Sequence, residues 1–294
     1  FSSEMLSFAA LLSLLAGLCD QNFKVPKIQC LALPLTLIPL LQWICGDMID
    51  FSSALLSSFY LLGFWFVAVA GYNLALQTDR AKLFTRISFT IMVVAAISSV
   101  IAILQWLNLD QHVYGVMEMR NNNRPFANFA QPNNMSTFLV MGLMACLYLF
   151  EQQKLKKSLL ILVSIFILFA IALSQSRTAW VVCLFFMAYW TYKTYKYPVR
   201  LRSPYMLFWV VFFALIIAIL PIINQLVASL GVIQVVETSS ATERATTGYL
   251  RFDIWAQMLL AIQQHPFMGY GWGKTSLAQL TVFNLHPSHE WVTS

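Results

Sequence analysis

Three polar segments interrupt an otherwise apolar chain, and each holds an arginine among side chains suited to binding anions or hydroxyl groups. The first reads Arg120-Asn-Asn-Asn-Arg-Pro-Phe-Ala-Asn-Phe-Ala-Gln-Pro-Asn-Asn134 and the second Ser174-Gln-Ser-Arg-Thr-Ala-Trp180. The third begins at Arg251-Phe-Asp-Ile-Trp255, followed by His265-Pro266 and the glycines Gly269, Gly271 and Gly273. A guanidinium presents a planar fork of donors that engages a phosphate bidentately. Pro132 suits the first turn of a helix, and Gln131 or Asn128 can cap it, so free helical N–H groups stand beside Arg120 and Arg124. Anion or phosphate binding is the chemistry open to the first two segments, while the third reads as an amphipathic helix with Arg251 at the edge of its apolar stripe. Each also has an ordinary reading by itself: a capped interfacial turn, an arginine snorkelling to headgroups with Trp180 in the aromatic belt, and a helix that packs on a bundle and stops at His-Pro.

The stretch Gly273-Lys-Thr275 invites a nucleotide reading, but a P-loop needs a glycine five positions before the Gly-Lys pair, where Met268 stands. Gly269 is one residue too close, which shortens the run of N–H groups that must curl around one phosphate. No nucleotide is expected. In His286-Pro-Ser-His-Glu290, Pro287 argues against the helix that would set both histidines on one face for zinc. Asp110, Glu118, Glu237, Glu243, Asp253 and Glu290 are scattered, so no carboxylate cluster marks a magnesium or manganese site. Neither a metal nor a cofactor is expected.

What must position these segments is a membrane-embedded bundle. Hydrophobic residues make up 59% of the 294 and charged residues 10%, with a mean hydropathy of +0.70, outside the balance of a soluble domain. Apolar runs at 5–19, 28–45, 51–76, 87–107, 133–150, 158–173, 178–194 and 205–223 predict about eight spans. They are continuously apolar, without the period of two of a barrel strand, so the fold class is all-α, a polytopic transmembrane helix bundle. Residues 1–227 form the bundle. Residues 228–294 form a segment outside it, in which Phe252, Trp255, Leu259 and Ile262 predict an amphipathic helix ahead of the glycine turn. Starting at Phe1 and stopping at Ser294 inside a polar stretch, the chain reads as part of a longer one, with no signal peptide evident.

Positive charge orients the bundle. Lys24 and Lys27, then Arg80, Lys82 and Arg86, then Lys154, Lys156 and Lys157, then Lys193, Lys196, Arg200 and Arg202 mark alternate connections as cytoplasmic. All three arginine segments fall on the other side. The net charge of +6 is thereby explained by topology and anionic inner-leaflet lipid, with no nucleic-acid partner. None of the eight runs holds Asp, Glu or Arg, and the one Lys, Lys193, stands at the very end of the seventh, which disfavours a transporter and puts chemistry at an interface. Cys19, Cys30, Cys45, Cys146 and Cys183 lie in or beside apolar runs without paired spacing, as structural filler.

Arg124-Pro-Phe-Ala-Asn-Phe-Ala-Gln-Pro-Asn133, followed by an apolar helix, resembles the signature of bacterial protein glycosylation ligases, the O-oligosaccharyltransferases that modify pilins and other exported proteins. Ser174-x-Ser-Arg-x-x-Trp180, Arg251 with Trp255, and His265-Pro-x-x-Gly-x-Gly-x-Gly273 resemble the ligase region shared with O-antigen ligases and polymerases. The resemblance implies a multi-pass enzyme of the bacterial inner membrane with a periplasmic active face. It implies transfer of a glycan from an undecaprenyl-pyrophosphate carrier to an acceptor hydroxyl, with membrane lipid around it. Arg177 and Arg251 then match the family's essential arginines. Arg124, Asn128, Gln131 and Asn133 match the glycosylation-ligase signature, and the turn around Gly271 positions the tail near the lipid-linked substrate. The family's essential histidine lies in a His-Asn-x-x-Leu stretch that this chain lacks before Ser294, which puts that residue past the end, with His286 and His289 as stand-ins. An O-antigen ligase or polymerase is the alternative within the superfamily, and a lipid-linked sugar flippase the alternative from another class.

Overall fold

The structure is a computed structural model, and it describes residues 9–14, 16–17, 23–46, 50–119, 124–198, 200, 203–229, 249–267 and 269–283. Of the positions singled out above, Cys19, Arg120, Arg202, Met268, His286, Pro287, His289, Glu290 and most of 228–248 lie outside these residues, as do the side chains of Arg177, Trp180, Cys183 and Arg251. All regular elements among the described residues are helices: α1 Lys27–Ala32, α2 Ile38–Ile44, α3 Phe51–Gln77, α4 Arg80–Trp106, α5 Pro132–Glu151, α6 Lys157–Ser174, α7 Arg177–Lys196, α8 Ser203–Ser229, α9 Tyr249–Gln264 and α10 Thr275–Val282. Six helical stretches among them are long and apolar enough to cross a membrane. The chain is a polytopic helical membrane protein. Large apolar side chains such as Phe64 and Phe185, 77% and 73% exposed, face outward as lipid-facing surfaces do.

The second apolar run is Lys27–Ile44, where Pro34 and Pro39 break helical hydrogen bonding and leave a 3₁₀ turn, Leu33–Leu37, between α1 and α2. The fourth run begins earlier than expected. α4 starts at Arg80, so Arg80, Lys82 and Arg86 stand in its first two turns and not in a loop; long basic side chains tolerate this because their heads reach the interface. The sixth and seventh runs meet at two residues, Gln175 and Ser176, where a connection of about four was expected. Gln175 takes a left-handed conformation (φ 48°), which turns the chain within that space. The first run is helical at residues 9–14 and 16–17 and otherwise falls outside the described residues.

The chain divides into two compact units, Phe1–Leu83 with Ala245–Ser294, and Phe84–Arg244. In the second unit α5, α6 and α7 run up and down around a core that includes Met135, Leu139, Cys146, Ile167 and Ile171. At one end Arg200 closes the C-terminus of α5, its Nη1 donating to the Phe150 carbonyl (2.8 Å) and its backbone N–H to Glu151 Oε2 (3.1 Å). In the first unit α9 and α10 form a helical hairpin whose small core is Ala261, Ala278 and Val282.

Candidate substrate site

Segment 124–131 runs onto the N-terminus of α5 at the end of the second unit opposite Arg200. Arg124 Nη1 donates to the carbonyls of Ser174 (3.1 Å) and Gln175 (3.5 Å). These are among the last carbonyls of α6, which lack helical partners and carry the negative end of the helix dipole, so a guanidinium is favoured there. The contact ties the first arginine segment to the second, because Ser174 and Gln175 stand directly before Arg177.

The loop between is held by amides. Gln105, in the last turn of α4 and fully buried, spends its whole side chain on this loop. Its Nε2 donates to the carbonyls of Met117 (2.8 Å) and Ala127 (2.9 Å), and its Oε1 accepts the N–H groups of Phe126 (3.0 Å) and Ala127 (2.7 Å). Asn128 holds the neighbouring strand of chain from the other side: Oδ1 accepts the Met117 N–H (3.0 Å) and Nδ2 donates to the Gly115 carbonyl (3.0 Å). Asp110, buried, accepts the Met119 N–H. Ala127 and Ala130 both sit at left-handed φ, 49° and 57°, a conformation that costs an L-residue about 1–2 kcal/mol.

Neither Gln131 nor Asn128 caps α5, contrary to the sequence expectation. Gln131 occupies the N-cap position but makes no side-chain cap bond, its stem being one methylene longer than the Asx side chains that fit there. Asn128 has both amide atoms engaged with residues 115 and 117. Gln131 and Asn133 make no side-chain hydrogen bond among the described residues, and they flank Pro132 at the helix start.

The α6–α7 hairpin puts Arg177 at the first position of α7, after Ser176 at the N-cap. Ser174 Oγ is used internally, donating to Ile171 O (2.6 Å) and accepting the Ser176 N–H (3.3 Å). In the first unit Arg251 lies in the first turn of α9. The glycines after α9 take left-handed φ, with Gly271 at 96°, and a side chain at that position would be strained. A helix, not a strand, leads into this turn, which removes the strand–loop–helix context a P-loop requires. Trp272 N–H donates to Gln42 Oε1 (2.9 Å), so the turn is pinned to α2 by an amide inside a span.

The spans also carry neutral amides, which formal charge does not mark. Gln42, Asn73, Gln105 and Asn224 all stand in apolar helices and all are bonded. Asn73 clasps Lys24 through both its backbone atoms (2.8 Å each), and Asn224 Oδ1 accepts the Trp106 indole N–H (3.0 Å). A neutral amide inside an apolar run is the signal: in a medium without water it must find partners, and here they are loop or neighbouring-helix groups.

Fold and loops together define a multi-pass helical membrane protein with polar arginine-bearing segments at the helix ends. Residues 125–150 match the protein glycosylation ligase family and residues 159–293 the O-antigen ligase family. The chain is thus similar to protein glycosylation ligases over the first of these stretches and to O-antigen ligases over the second. It is 52% identical over 295 residues to a general O-oligosaccharyltransferase of Acinetobacter baylyi, covering 100% of this chain and 52% of that protein. It is 30% identical over 290 residues to a ComP-specific O-oligosaccharyltransferase of the same species, covering 97% of this chain and 51% of the relative. The chain thus spans about half the length of the curated relatives it matches. No solved structure matches it.

Proposed function

We propose that this chain carries the donor-binding part of an O-oligosaccharyltransferase that moves a glycan en bloc from undecaprenyl pyrophosphate to a Ser or Thr hydroxyl of an exported protein such as pilin, on the periplasmic face of the bacterial inner membrane. The observation that carries the reading is the bond from Arg124 to the Ser174 and Gln175 carbonyls, which joins the glycosylation-ligase segment to the residues preceding Arg177. The names of both relatives and the two family matches support it.

In this reaction the acceptor oxygen attacks the anomeric carbon, the bond from that carbon to the pyrophosphate oxygen breaks, and the hydroxyl proton passes to a base. Negative charge grows on the leaving pyrophosphate. Arg177 and Arg251 stabilise that charge more in the transition state than in the ground state. The glycosylation-ligase segment, through Gln131 and Asn133 at the start of α5, contacts substrate hydroxyl or phosphate groups, and the turn at Gly271 brings the tail beside the donor. Residues 228–294 act as a periplasmic segment beside a bundle formed by residues 1–227.

The match over residues 159–293 favours one alternative acceptor, a lipid, as in O-antigen ligases. The test is transfer in a purified system: full-length protein, undecaprenyl-pyrophosphate glycan, and either pilin or lipid A core. Glycosylated pilin is the expected product. Glycan on the lipid alone would replace the protein acceptor with the alternative, and no product on either acceptor would refute the reading.

A further inference from the structure

Gln105 uses its whole side-chain amide in hydrogen bonds, and its position is unusual for its chemistry. It lies in a membrane-spanning helix with no exposed surface, yet all four of its hydrogen bonds go to backbone groups of loops outside that helix. Three of those four are made with Phe126 and Ala127, inside the segment that resembles the glycosylation-ligase signature. The backbone it grips is in a costly conformation: Ala127, fully buried, has φ 49°, and further along the same loop Ala130 has φ 57°. An alanine leaves the left-handed region unless the surroundings over-determine it. Gln105 supplies that constraint by occupying both the N–H and the C=O of Ala127. Asn128 and Gln105 then share Met117 between them, one on its N–H and one on its carbonyl, so segments 115–119 and 124–130 are fixed as a pair. Gln131, Pro132 and Asn133 come directly after Ala130 in the chain, so their placement is set by this pair.

We propose that Gln105 is a positioning residue for glycan transfer: it holds the Arg124–Ala130 loop in its left-handed conformation so that Gln131, Asn133 and the N-terminal turn of α5 meet the lipid-linked glycan donor. This rests on the reading that the segment binds substrate. Leucine at 105 matches the volume but leaves two N–H groups and two carbonyls without the partners Gln105 supplied, and the loop relaxes away from the conformation those bonds favour.

Glycine reaches φ near +50° without the penalty an alanine carries, which gives the rescue. In full-length protein, Gln105→Leu is expected to lower transfer to pilin by more than tenfold, with the larger part in KM for the lipid-linked glycan. Adding Ala127→Gly to that variant is expected to recover several-fold of the loss. If Gln105 served only the packing of α4, the added glycine would give no recovery, since it removes a buried methyl and loosens the unfolded chain.

A second measurement is independent of catalysis. With the native cysteines replaced, Ala127→Cys should resist a membrane-impermeant maleimide in otherwise wild-type protein and label at least tenfold faster once Gln105→Leu is added. Wild-type transfer by Gln105→Leu, absence of rescue by Ala127→Gly, or unchanged labelling would each overturn the proposal. Failure of the wild-type protein to glycosylate pilin would refute the functional reading, while the labelling result would still decide whether Gln105 positions the loop.

Discussion

Arg124, Arg177 and Arg251 occupy different settings, and the settings predict different losses. Arg124 is engaged with the C-terminal carbonyls of α6, so Arg124→Ala should lower the thermal midpoint in detergent, with a cost of about 1 kcal/mol. Arg177 opens α7 and Arg251 stands in the first turn of α9. If they bear on the leaving pyrophosphate, Arg177→Ala and Arg251→Ala should each lower turnover by about a hundredfold, the usual loss for a donor aimed at developing charge. Their thermal midpoints should stay within a degree or two of wild type. Lysine at either position should restore part of the rate, since a point charge lacks the bidentate fork. Steady-state transfer to pilin beside thermal melts separates the two classes, and wild-type turnover by both alanine variants at matched levels would remove the pyrophosphate role.

At the scale of elements, α4 and α5 approach closely at Gly142. A Cβ built there would overlap the Cβ of Ala95. Gly142→Ala should therefore destabilise the second unit by about 1–3 kcal/mol, the usual cost of overpacking, and Ala95→Gly in the same protein should recover much of it. Thermal melts of the single and double variants test the pair. The start of α3 responds to pH. The Ser53 hydroxyl, then the Ser53 and Ser52 N–H groups, hold the Asp50 carboxyl below its ordinary 3.8. The cap bonds favour the charged form, so their contribution is complete above the ordinary carboxylate range and disappears as pH falls through the lowered value. The difference in thermal midpoint between wild type and Asp50→Ala should hold from neutral pH to about pH 5 and close under stronger acid. A difference independent of pH would show that the carboxylate is not the cap.

For the molecule as a whole, the split of positive charge predicts topology. Reporters fused after Lys157 and after Lys196 should read cytoplasmic, and one inserted within residues 228–248 should read periplasmic. Arg200 at the C-terminus of α5 and Arg124 at the C-terminus of α6 lie at opposite ends of the same helix group, so the reporters also test on which side the Arg124 loop works. A cytoplasmic signal from residues 228–248 would place Arg251 across the membrane from the other arginine segments and refute the proposed joint action of Arg177 and Arg251.

Much of this was present in the order of residues alone. About twenty apolar side chains in succession can only be helical in lipid, because the backbone has no other hydrogen-bond partners there; the spans from Lys27 to Val227 and the amphipathic stripe of α9 rest on that single constraint. The family resemblance was legible for a similar reason, since the arginine segments are short and contiguous. The tertiary structure decided what is not contiguous. Gln105 and Ala127 are 22 residues apart, Arg124 and Ser174 50, and Gln42 and Trp272 230. A buried amide must be satisfied, but the sequence does not say by which backbone group. That choice is made only when the helices pack, and it commits Asn128 to residues 115 and 117, gives Arg124 to the end of α6, and leaves Gln131 and Asn133 at the mouth of α5.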